Sequence, residues 1–407
     1  MRIAMVSEHA SPLAVLGGVD AGGQNVHVHA LAAQLAELGH DVAVYTRRDD
    51  PELPDRVPIG PRCTVHHVPG GPPRPIGKDS LLPHIPHFTA ELTDRLARRP
   101  PSLVHAHFWM SGLAAEAAAD EIGVPLVQTF HALGSVKRRW QGAADTSPAE
   151  RIDAECDVAR AANRIIASST DEMRELMALG TPRAKIEIIP SGVDLGRFRP
   201  DGPVAPRSRR RRLLVLGRLV PRKGIRDAVR ALASVPDAEL LIVGGPSAAI
   251  VSDDPEAVVL RRVAEECGVA SRVRLHGQAS RDEVPALIRS ADVVLCLPWY
   301  EPFGIVPLEA MACGVPVIGT AVGGLLDTVI DGVTGLLVPP HRPDLAAEAT
   351  TQLLDDDGRR RSYGTAGVVR TRSLYGWTTV ARATERSYRR VLSQDRPRSA
   401  IEAGALG

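Results

Sequence analysis

The sequence predicts an α/β fold in which two Rossmann-like domains face each other across a cleft. Short apolar runs alternate with amphipathic stretches from end to end, which is typical of parallel sheets covered by helices. This scheme occurs twice, on either side of a stretch that contains Pro and Gly. At 407 residues the chain is also long for a single hydrophobic core, so two domains are expected.

The first domain is expected at residues 1–195. Stretches with helical periodicity, such as Asn25–Leu38 and Gly112–Glu121, predict helices between its strands. The predicted strands are the short apolar runs Ile3–Val6, Val42–Tyr45, Leu103–His105, Leu126–Thr129, Ile165–Ala167 and Ile186–Ile189.

The second domain is expected at residues 196–375. It begins with the Pro- and Gly-containing stretch Asp201–Ser208 and the run Arg209–Arg212, which together are interpreted as a solvated linker. A helical pattern at Trp377–Leu392 continues beyond the domain, and the polar residues 393–407 are expected to be disordered. The predicted strands are Leu213–Leu216, Leu240–Val243, Val273–Leu275, Val293–Leu297, Pro316–Ile318 and Leu336–Val338.

Composition excludes several classes of protein. The 49 basic residues balance the 48 acidic ones, which argues against nucleic acid or an anionic membrane as the main partner. The five cysteines show no CxxC spacing, which indicates a reducing compartment. The N-terminus resembles a first strand rather than a signal peptide, and no run approaches the roughly 18 apolar residues of a membrane span. We therefore expect a cytoplasmic protein without an integral membrane segment, and the sequence is compatible with a homodimer.

The segment Glu301–Glu309 is the most informative one in the chain. It follows a strand-like run and opens a helix-like one, so free N–H groups and the helix dipole converge there on an anion site. The two carboxylates are eight residues apart, more than two helical turns, so the pair makes sense if Glu301 lies in the loop and Glu309 in the helix. Hydroxyl acceptors beside a phosphate-binding backbone indicate a sugar nucleotide.

Two further loops suit phosphate groups. Gly22 and Gly23 follow the first strand and allow close backbone approach to an anion. Their loop matches neither GxGxxG nor the P-loop pattern, which argues against a nicotinamide dehydrogenase and an ATPase. In the second half, Arg218 and Lys223 flank a short turn and suit a diphosphate, and Arg222 could replace either one. A solvated basic turn is the alternative reading of this loop.

Histidines cluster at predicted strand ends of the first half. His131 ends the segment Gln128–His131, where its side chain would point into the cleft, and His105 and His107 share one face of another strand end. Because no Cys or Glu stands at ligand spacing, we expect structural or substrate contacts rather than zinc, and no required metal or other cofactor.

Taken together, these residues resemble the family 4 retaining glycosyltransferases of GT-B fold. The resemblance covers almost the whole chain, and its last two motifs are highly specific. The motifs are the Gly22-Gly23 loop, Phe130-His131, Ile189–Asp194, Gly217-Arg218 with Lys223-Gly224, and Glu301 with Glu309.

The resemblance implies a role for each of these positions. Residues 1–195 would bind the acceptor and residues 196–375 the nucleotide sugar. The helix at 376–392, which contains Trp377, would cross back to the first domain. The implied catalytic residues are Arg218 and Lys223 on the donor diphosphate, Glu301 on the sugar hydroxyls, and His131 near the reacting carbon. The implied donor-binding residues are Gly22, Gly23, Phe303, Gly304, Ile305, Val306 and, on the ribose, Glu309.

Within the family, the first half resembles in particular the branch of the D-inositol-3-phosphate N-acetylglucosaminyltransferase of mycothiol synthesis and, more distantly, sucrose-phosphate synthase. In the former, the positions that match Asn25, Lys78 and Arg151 hold the acceptor phosphate. A tyrosine and a threonine of that pocket match Phe108 and Ala132, which lack hydroxyls. The resemblance therefore supports the donor chemistry more than the identity of the acceptor.

The resulting hypothesis is retaining hexosyl transfer from a nucleoside diphosphate sugar to a hydroxyl of a small-molecule acceptor, in secondary-metabolite or mycothiol-like biosynthesis. A UDP-sugar is the first choice of donor and a GDP-sugar the second. One alternative is a sugar-nucleotide 2-epimerase of the same fold, which would release free sugar. Another is a non-catalytic sugar-nucleotide-binding protein, which would bind the donor without turnover.

Overall fold

The computed structural model describes residues 1–14 and 22–394. These residues form two sheets, and helices pack on them through extensive apolar clusters. The predicted α/β architecture with two Rossmann-like domains across a cleft is thus confirmed. Of the segment expected to be disordered, residues 395–407 lie outside the described part of the chain.

The first sheet has eight strands within the described residues, in the order β3-β4-β2-β1-β5-β6-β7-β8, and neighbours are parallel except for the antiparallel pair β3–β4. Its strands are β1 Arg2–Val6, β2 Asp41–Arg47, β3 Arg56–Gly60, β4 Cys63–Val68, β5 Leu103–His107, β6 Leu126–Thr129, β7 Arg164–Ala167 and β8 Ile186–Ile188. The α-helices in this half are α1 Gly23–Glu37, α2 Ile85–Arg98, α3 Trp109–Ile122, α4 Gly134–Gln141, α5 Arg151–Ala161 and α6 Thr170–Ala178.

The second sheet is wholly parallel, with six strands in the order β11-β10-β9-β12-β13-β14. Its strands are β9 Arg211–Leu216, β10 Ala238–Val243, β11 Val273–Gly277, β12 Val293–Cys296, β13 Val317–Thr320 and β14 Gly335–Val338. The α-helices are α7 Ile225–Ala233, α8 Pro255–Glu266, α9 Val284–Arg289, α10 Ile305–Ala312, α11 Leu325–Thr328, α12 Pro343–Asp355, α13 Asp357–Leu374 and α14 Trp377–Gln394.

Each sheet reverses its strand order at one point, and this determines where a ligand can bind. The reversal lies between β1 and β5 in the first sheet and between β9 and β12 in the second. In open parallel sheets, the loops that leave the carboxyl ends of the strands separate at such a point and leave a crevice. The loops after β1, β9 and β12 carry the glycines, cations and carboxylates singled out above.

The interpretation of Arg209–Arg212 as a solvated linker is wrong for its last two residues. Arg211 and Arg212 begin β9, and Arg212 is buried, with 2% of its surface exposed. Its Nε donates to Glu239 Oε1 at 2.7 Å, and its Nη1 donates to Ser290 Oγ at 2.9 Å. A buried guanidinium is tolerated because its charge and its N–H groups find these partners.

The last helix, α14, packs against the first sheet and α1, although it follows the second sheet in the chain. Trp377 lies with its ring centroid 5.3 Å from that of His27 on α1. Further along, the Tyr388 hydroxyl and His105 Nδ1 on β5 form a buried hydrogen bond of 2.6 Å. The helix extends to Gln394, past the predicted end at Leu392.

Across residues 1–14 and 22–394, every helix falls short of the length and apolar character needed to cross a bilayer.

Candidate active site

A cleft of about 340 Å³ lies between the two sheets, at the points where their strand orders reverse. The two halves touch around it: Ser169 Oγ donates to Pro302 O at 3.1 Å, and Gln141 Nε2 donates to the Tyr300 hydroxyl at 2.7 Å. The sequence-predicted residues that line it are Gly22, Gly23, Asn25, Lys78, His131, Arg218, Lys223, Glu301, Phe303, Gly304, Ile305 and Val306.

An ion pair between Lys223 and Glu301 stands in this cleft. Both side chains are largely buried, with 22% and 14% of their surface exposed. Burial alone would raise the pKa of Glu301, but Lys223, Arg222 and Arg218 outweigh it and hold this pKa below its ordinary value. Glu301 is therefore a carboxylate at neutral pH, and the cleft combines a cationic group with a hydroxyl acceptor.

The turn that carries Lys223 is fixed against the end of β12. Gly224 has a φ of +65°, and a Cβ there would lie 1.8 Å from the carbonyl oxygen of Leu297, so this position requires glycine. The turn is also tied by a hydrogen bond of 2.8 Å from Trp299 N to Arg222 O. These contacts place the cationic loop after β9 beside the loop after β12.

The backbone of Glu301 is held by a second glycine turn. Gly324 N donates to Glu301 O at 2.9 Å, and Gly323 adopts a φ of +50°. A Cβ on Gly323 would lie 2.1 Å from the same oxygen. The loop after β13 thus fixes the carboxylate from behind.

The N-terminus of α10 faces the first domain across the cleft. Gly304, with a φ of +88°, ends the loop, and Ile305 begins the helix. Phe303 turns its ring into the core, with 7% of its surface exposed, so its backbone rather than its ring is offered to a ligand. Opposite stands Gly23, where a Cβ would lie 3.1 Å from Ile305 Cδ1. A helix N-terminus with free N–H groups and little steric bulk opposite it is suited to an anion.

Glu309 lines a second cavity, which adjoins the cleft. It lines a space of about 680 Å³ together with Gly217 and Arg218, and Arg218 also lines the cleft, so the two spaces share a wall. Burial raises the pKa of Glu309 to about 8, against the opposing effect of Arg281 and Arg197. Because it lines a different space, Glu309 lies apart from the Lys223–Glu301 pair, and its contact with a ribose stays a prediction.

The histidines form a buried polar cluster at the floor of the cleft. His107 Nδ1 and His131 Nε2 form a hydrogen bond of 3.0 Å, and His27 Nδ1 lies 3.0 Å from Ser191 Oγ. His131 has a φ of +63°, a strained conformation that turns it towards the cleft. Burial lowers the pKa of His27 to about 4 and holds the pKa of His107 and of His131 well below the ordinary value, so all three are neutral.

These three neutral imidazoles are also a group that could hold a metal ion. One nitrogen from each of His27, His107 and His131 lies within 4.8 Å of the others, closer together than the sequence argument against zinc assumed. His105 lies beside this group, with its ring centroid 4.1 Å from that of His107, but its Nε2 is engaged by Thr129 Oγ1 at 2.9 Å. That no metal is required stays a prediction.

The three predicted acceptor residues are placed differently. Lys78 and Asn25 line the cleft, but the Asn25 side chain accepts from Gly22 N and donates to Ser11 O, both at 2.9 Å. Arg151 does not line the cleft. Its Nε donates to Glu155 Oε1 and its Nη2 donates to Ala132 O, both at 2.8 Å. An acceptor role for these residues stays a prediction.

Arg222 and Tyr300 also contribute to the site, although neither was among the predicted site residues. Arg222 lines the cleft, and its guanidinium lies 5.3 Å from the centre of the Tyr300 ring. Its Nη1 is buried and has no hydrogen-bond partner among the described residues. The sequence offered Arg222 only as a substitute for Arg218 or Lys223. Tyr300 stands directly before Glu301 in the loop after β12, and its place in that loop was the available signal.

Comparison with known proteins agrees with this geometry. The model of the family described as Glycosyltransferase Family 4 matches residues 21–197, and that of Glycosyl transferases group 1 matches residues 202–369. The first match covers the Gly22-Gly23 loop, and the second covers the Lys223 and Glu301 loops.

Curated relatives extend over nearly the full chain. The D-inositol 3-phosphate glycosyltransferase of Kineococcus radiotolerans is 38% identical over 99% of this chain and 98% of its own length. That of Kribbella flavida is 38% identical over 95% of each chain.

Solved structures show the same architecture. Sucrose-phosphate synthase from Thermosynechococcus elongatus superposes with a TM-score of 0.88 at 32% identity, over 97% of this chain and 99% of that one. HepE of Anabaena has a TM-score of 0.74 at 18% identity, over 95% and 99% of the two chains, and shares the fold. From the matched motifs, the near-complete relatives and the GT-B architecture it follows that this chain belongs to glycosyltransferase family 4 and is a glycosyltransferase.

Proposed function

We propose that the protein transfers a hexosyl group, with retention of configuration, from a nucleoside diphosphate sugar to a hydroxyl of a small-molecule acceptor. The observation that carries this proposal is the Lys223–Glu301 ion pair, which stands in the cleft with the Gly22-Gly23 loop and the Gly304 turn. It puts a cation for the diphosphate and an ionised hydroxyl acceptor for the sugar at one point of the cleft.

Departure of the nucleotide is the step that this arrangement favours most. Negative charge develops on the diphosphate as the bond between the anomeric carbon and the phosphate oxygen breaks. Lys223, Arg218 and Arg222 and the free N–H groups of α10 stand where they would stabilise that charge. The acceptor hydroxyl then attacks from the face that the nucleotide leaves, and a phosphate oxygen of the leaving group takes its proton.

The sugar and the ribose would occupy different parts of the site. Glu301, with the backbone at Gly304 and Ile305, would hold sugar hydroxyls, and His131 would approach the reacting carbon. Glu309 would hold the ribose in the adjoining cavity. UDP is the first base to test and GDP the second. HepE has been solved with UDP and with UDP-glucose, but it shares only the fold with this chain.

The acceptor is less constrained than the donor. The names of the curated relatives give D-inositol 3-phosphate as their substrate, and it is one acceptor to test. Phe108 and Ala132 lack the hydroxyls of that pocket, and the Arg151 guanidinium is already bound by Glu155 and Ala132. These contacts favour a hydroxyl acceptor without a phosphate group.

The test is a transfer assay with UDP- and GDP-hexoses and a panel of hydroxyl acceptors, in which nucleotide release and product configuration are followed. We expect a product of retained anomeric configuration, and we expect Lys223→Ala and Glu301→Ala each to lower turnover by about 10²-fold or more. Arg160→Ala, which removes only an exposed ion pair with Asp157, is the matched control. Near-normal turnover of either cleft variant would contradict the proposal. Release of free, epimerised sugar without acceptor would instead identify the 2-epimerase.

A further inference from the structure

A third cavity, of about 220 Å³, opens beside Glu301, and its lining includes neither Lys78 nor Asn25, which line the cleft. The first domain contributes the α4 residues Val136 and Trp140, and the second contributes loop residues after β12 and β13 such as Val322. Ala132, Glu301 and Pro302 line both this cavity and the donor cleft, so the two spaces meet at the sugar-binding carboxylate. We call it the side cavity.

Most residues that line the side cavity are aliphatic or aromatic, and four are charged. The rings of Trp140 and Tyr300 are nearly parallel, at 17°, with centroids 6.4 Å apart. Tyr300 is fixed on both sides: its hydroxyl accepts from Gln141 Nε2 at 2.7 Å, and the Arg222 guanidinium lies over its ring. Two nearly parallel rings, one of them held in place, with aliphatic neighbours suit a flat ring system better than a flexible polar chain.

The charged groups around the side cavity disfavour an anion. Asp171 and Glu172 line it, and the cation at its rim, Arg139, is held by Glu175 through two hydrogen bonds of 2.7 and 2.8 Å. The pKa of Glu172 is raised by burial, and Ser168, which donates to this carboxyl through N and Oγ, works in the opposite direction. A phosphorylated ligand here would meet carboxyl groups rather than an available guanidinium.

Glu172, which lines the side cavity, has one carboxyl oxygen without a hydrogen-bond donor among the described residues. Glu172 Oε1 is buried and has no hydrogen-bond partner among the described residues, although Oε2 of the same carboxyl is fully engaged by Ser168. A buried acceptor without a donor is costly, and a ligand hydroxyl would supply the missing hydrogen bond.

We propose that the side cavity holds the body of the acceptor, and that this acceptor is an uncharged, flat ring compound carrying hydroxyl groups. One hydroxyl donates to Glu172 Oε1, and another reaches past Ala132 to the donor sugar at Glu301. The size fits, because an apolar cavity of about 150 Å³ holds benzene, and this one, at about 220 Å³, is larger. The inference rests on the proposed hexosyl transfer and adds the class of its acceptor.

The test is calorimetric titration of the full-length protein with 1,5-dihydroxynaphthalene, an uncharged two-ring diol, without donor. We expect saturable binding that weakens about tenfold or more in Trp140→Ala and is lost in Val136→Trp, which fills the cavity. Trp299→Ala is the matched control, because that ring packs against His341 instead. No binding by the unaltered protein, or equal affinity in Val136→Trp, would overturn the inference.

Transfer and donor binding separate this inference from the proposed function. With a competent donor, we expect the diol to be glycosylated with a higher kcat/KM than D-inositol 3-phosphate, and Trp140→Ala to reduce its kcat/KM while UDP affinity stays unchanged. A preference for D-inositol 3-phosphate that Trp140→Ala leaves intact would overturn the side-cavity assignment. Failure of the unaltered protein to bind any sugar nucleotide would overturn the donor assignment alone, because diol binding is measured without donor.

Discussion

Lys223 and Glu301 form an ion pair in the cleft although 78 residues separate them in the chain. Each is also the residue expected to contact the donor, one at the diphosphate and the other at the sugar. The pair therefore holds both side chains in place before a ligand arrives. Because the two opposite charges offset each other in a largely buried position, removal of one side chain leaves the other as an unpaired buried charge.

Replacement of both partners of this pair should cost less than the sum of the two single replacements. Lys223→Ala leaves the Glu301 carboxylate buried without its main counter-charge, and we expect the free energy of unfolding to fall by about 1–3 kcal/mol. Glu301→Ala should cost a similar amount. In the double variant no charge is left unpaired, so the loss should be smaller than the sum. Urea denaturation of the four proteins checks this, and strict additivity would show that the pair has no coupling energy.

Glu309 should make stability depend on pH. Its pKa is raised from the ordinary 4.5 to about 8, so the folded state binds the proton more tightly than the unfolded state. Stability from this group is fully present below about pH 4.5 and is lost as the pH rises towards about 8. We expect Glu309→Gln to reduce this decline, measured as the free energy of unfolding at several pH values. Glu266→Gln, on an exposed residue, is the control, and an identical pH profile for Glu309→Gln would contradict the prediction.

Nucleotide binding should also release a proton from Glu309. If ribose hydroxyls donate to this carboxyl, its ionised form is favoured in the complex, and the proton leaves at pH values below about 8. Titration calorimetry of UDP at pH 7 in buffers of different ionisation enthalpy should reveal this release. Glu309→Gln should remove it, and a release of the same size in that variant would assign the proton to another group.

Gly224→Ala should destabilise the protein and displace Lys223. The substitution meets a positive φ, which costs about 1–3 kcal/mol, and it also drives a Cβ into the carbonyl oxygen of Leu297. Gly180→Ala is the matched control, since Gly180 also has a positive φ, +91°, but no atom within 4 Å of the added carbon. We expect the Gly224 variant to lose more stability and to bind UDP more weakly. Equal losses in both variants would show that the contact with Leu297 contributes nothing.

Tyr388→Phe should loosen the contact of α14 with the first domain. The hydroxyl is the partner of His105 Nδ1 in a fully buried position, and its removal leaves that nitrogen unsatisfied, at a cost of about 1–3 kcal/mol. Tyr363→Phe, on a half-buried tyrosine of α13, should have little effect. Thermal unfolding of both variants checks this, and an unchanged Tm for Tyr388→Phe would show that the hydrogen bond does not contribute.

The sequence predicted the buried parallel strands well and the edge of the first sheet poorly. Strands such as β6 and β12 are short apolar runs, because parallel strands are covered on both faces. By contrast, β3 alternates between exposed and half-buried residues and contains Pro58, so neither its composition nor its hydrophobicity marks it as a strand. Its partner β4 also escaped prediction.

The site was predictable where it depends on strand ends. Lys223 and Glu301 each follow a strand of one parallel sheet, so their loops were expected at the same edge. Their mutual pairing and the burial of Arg212 against Glu239 depend on tertiary contacts between residues distant in the chain. Composition and spacing carry no signal for such contacts.

Binding of a nucleoside diphosphate through Lys223 underlies the proposed transfer. Calorimetric titration of UDP, and then GDP, into the unaltered protein and into Lys223→Ala tests this binding. Lys185→Ala is the control, at a lysine outside the cleft whose Nζ donates to Arg160 O at 2.6 Å. We predict that one nucleotide binds, that Lys223→Ala weakens it by about tenfold to hundredfold, and that Lys185→Ala leaves it unchanged. Equal affinity in Lys223→Ala and the unaltered protein would contradict the account.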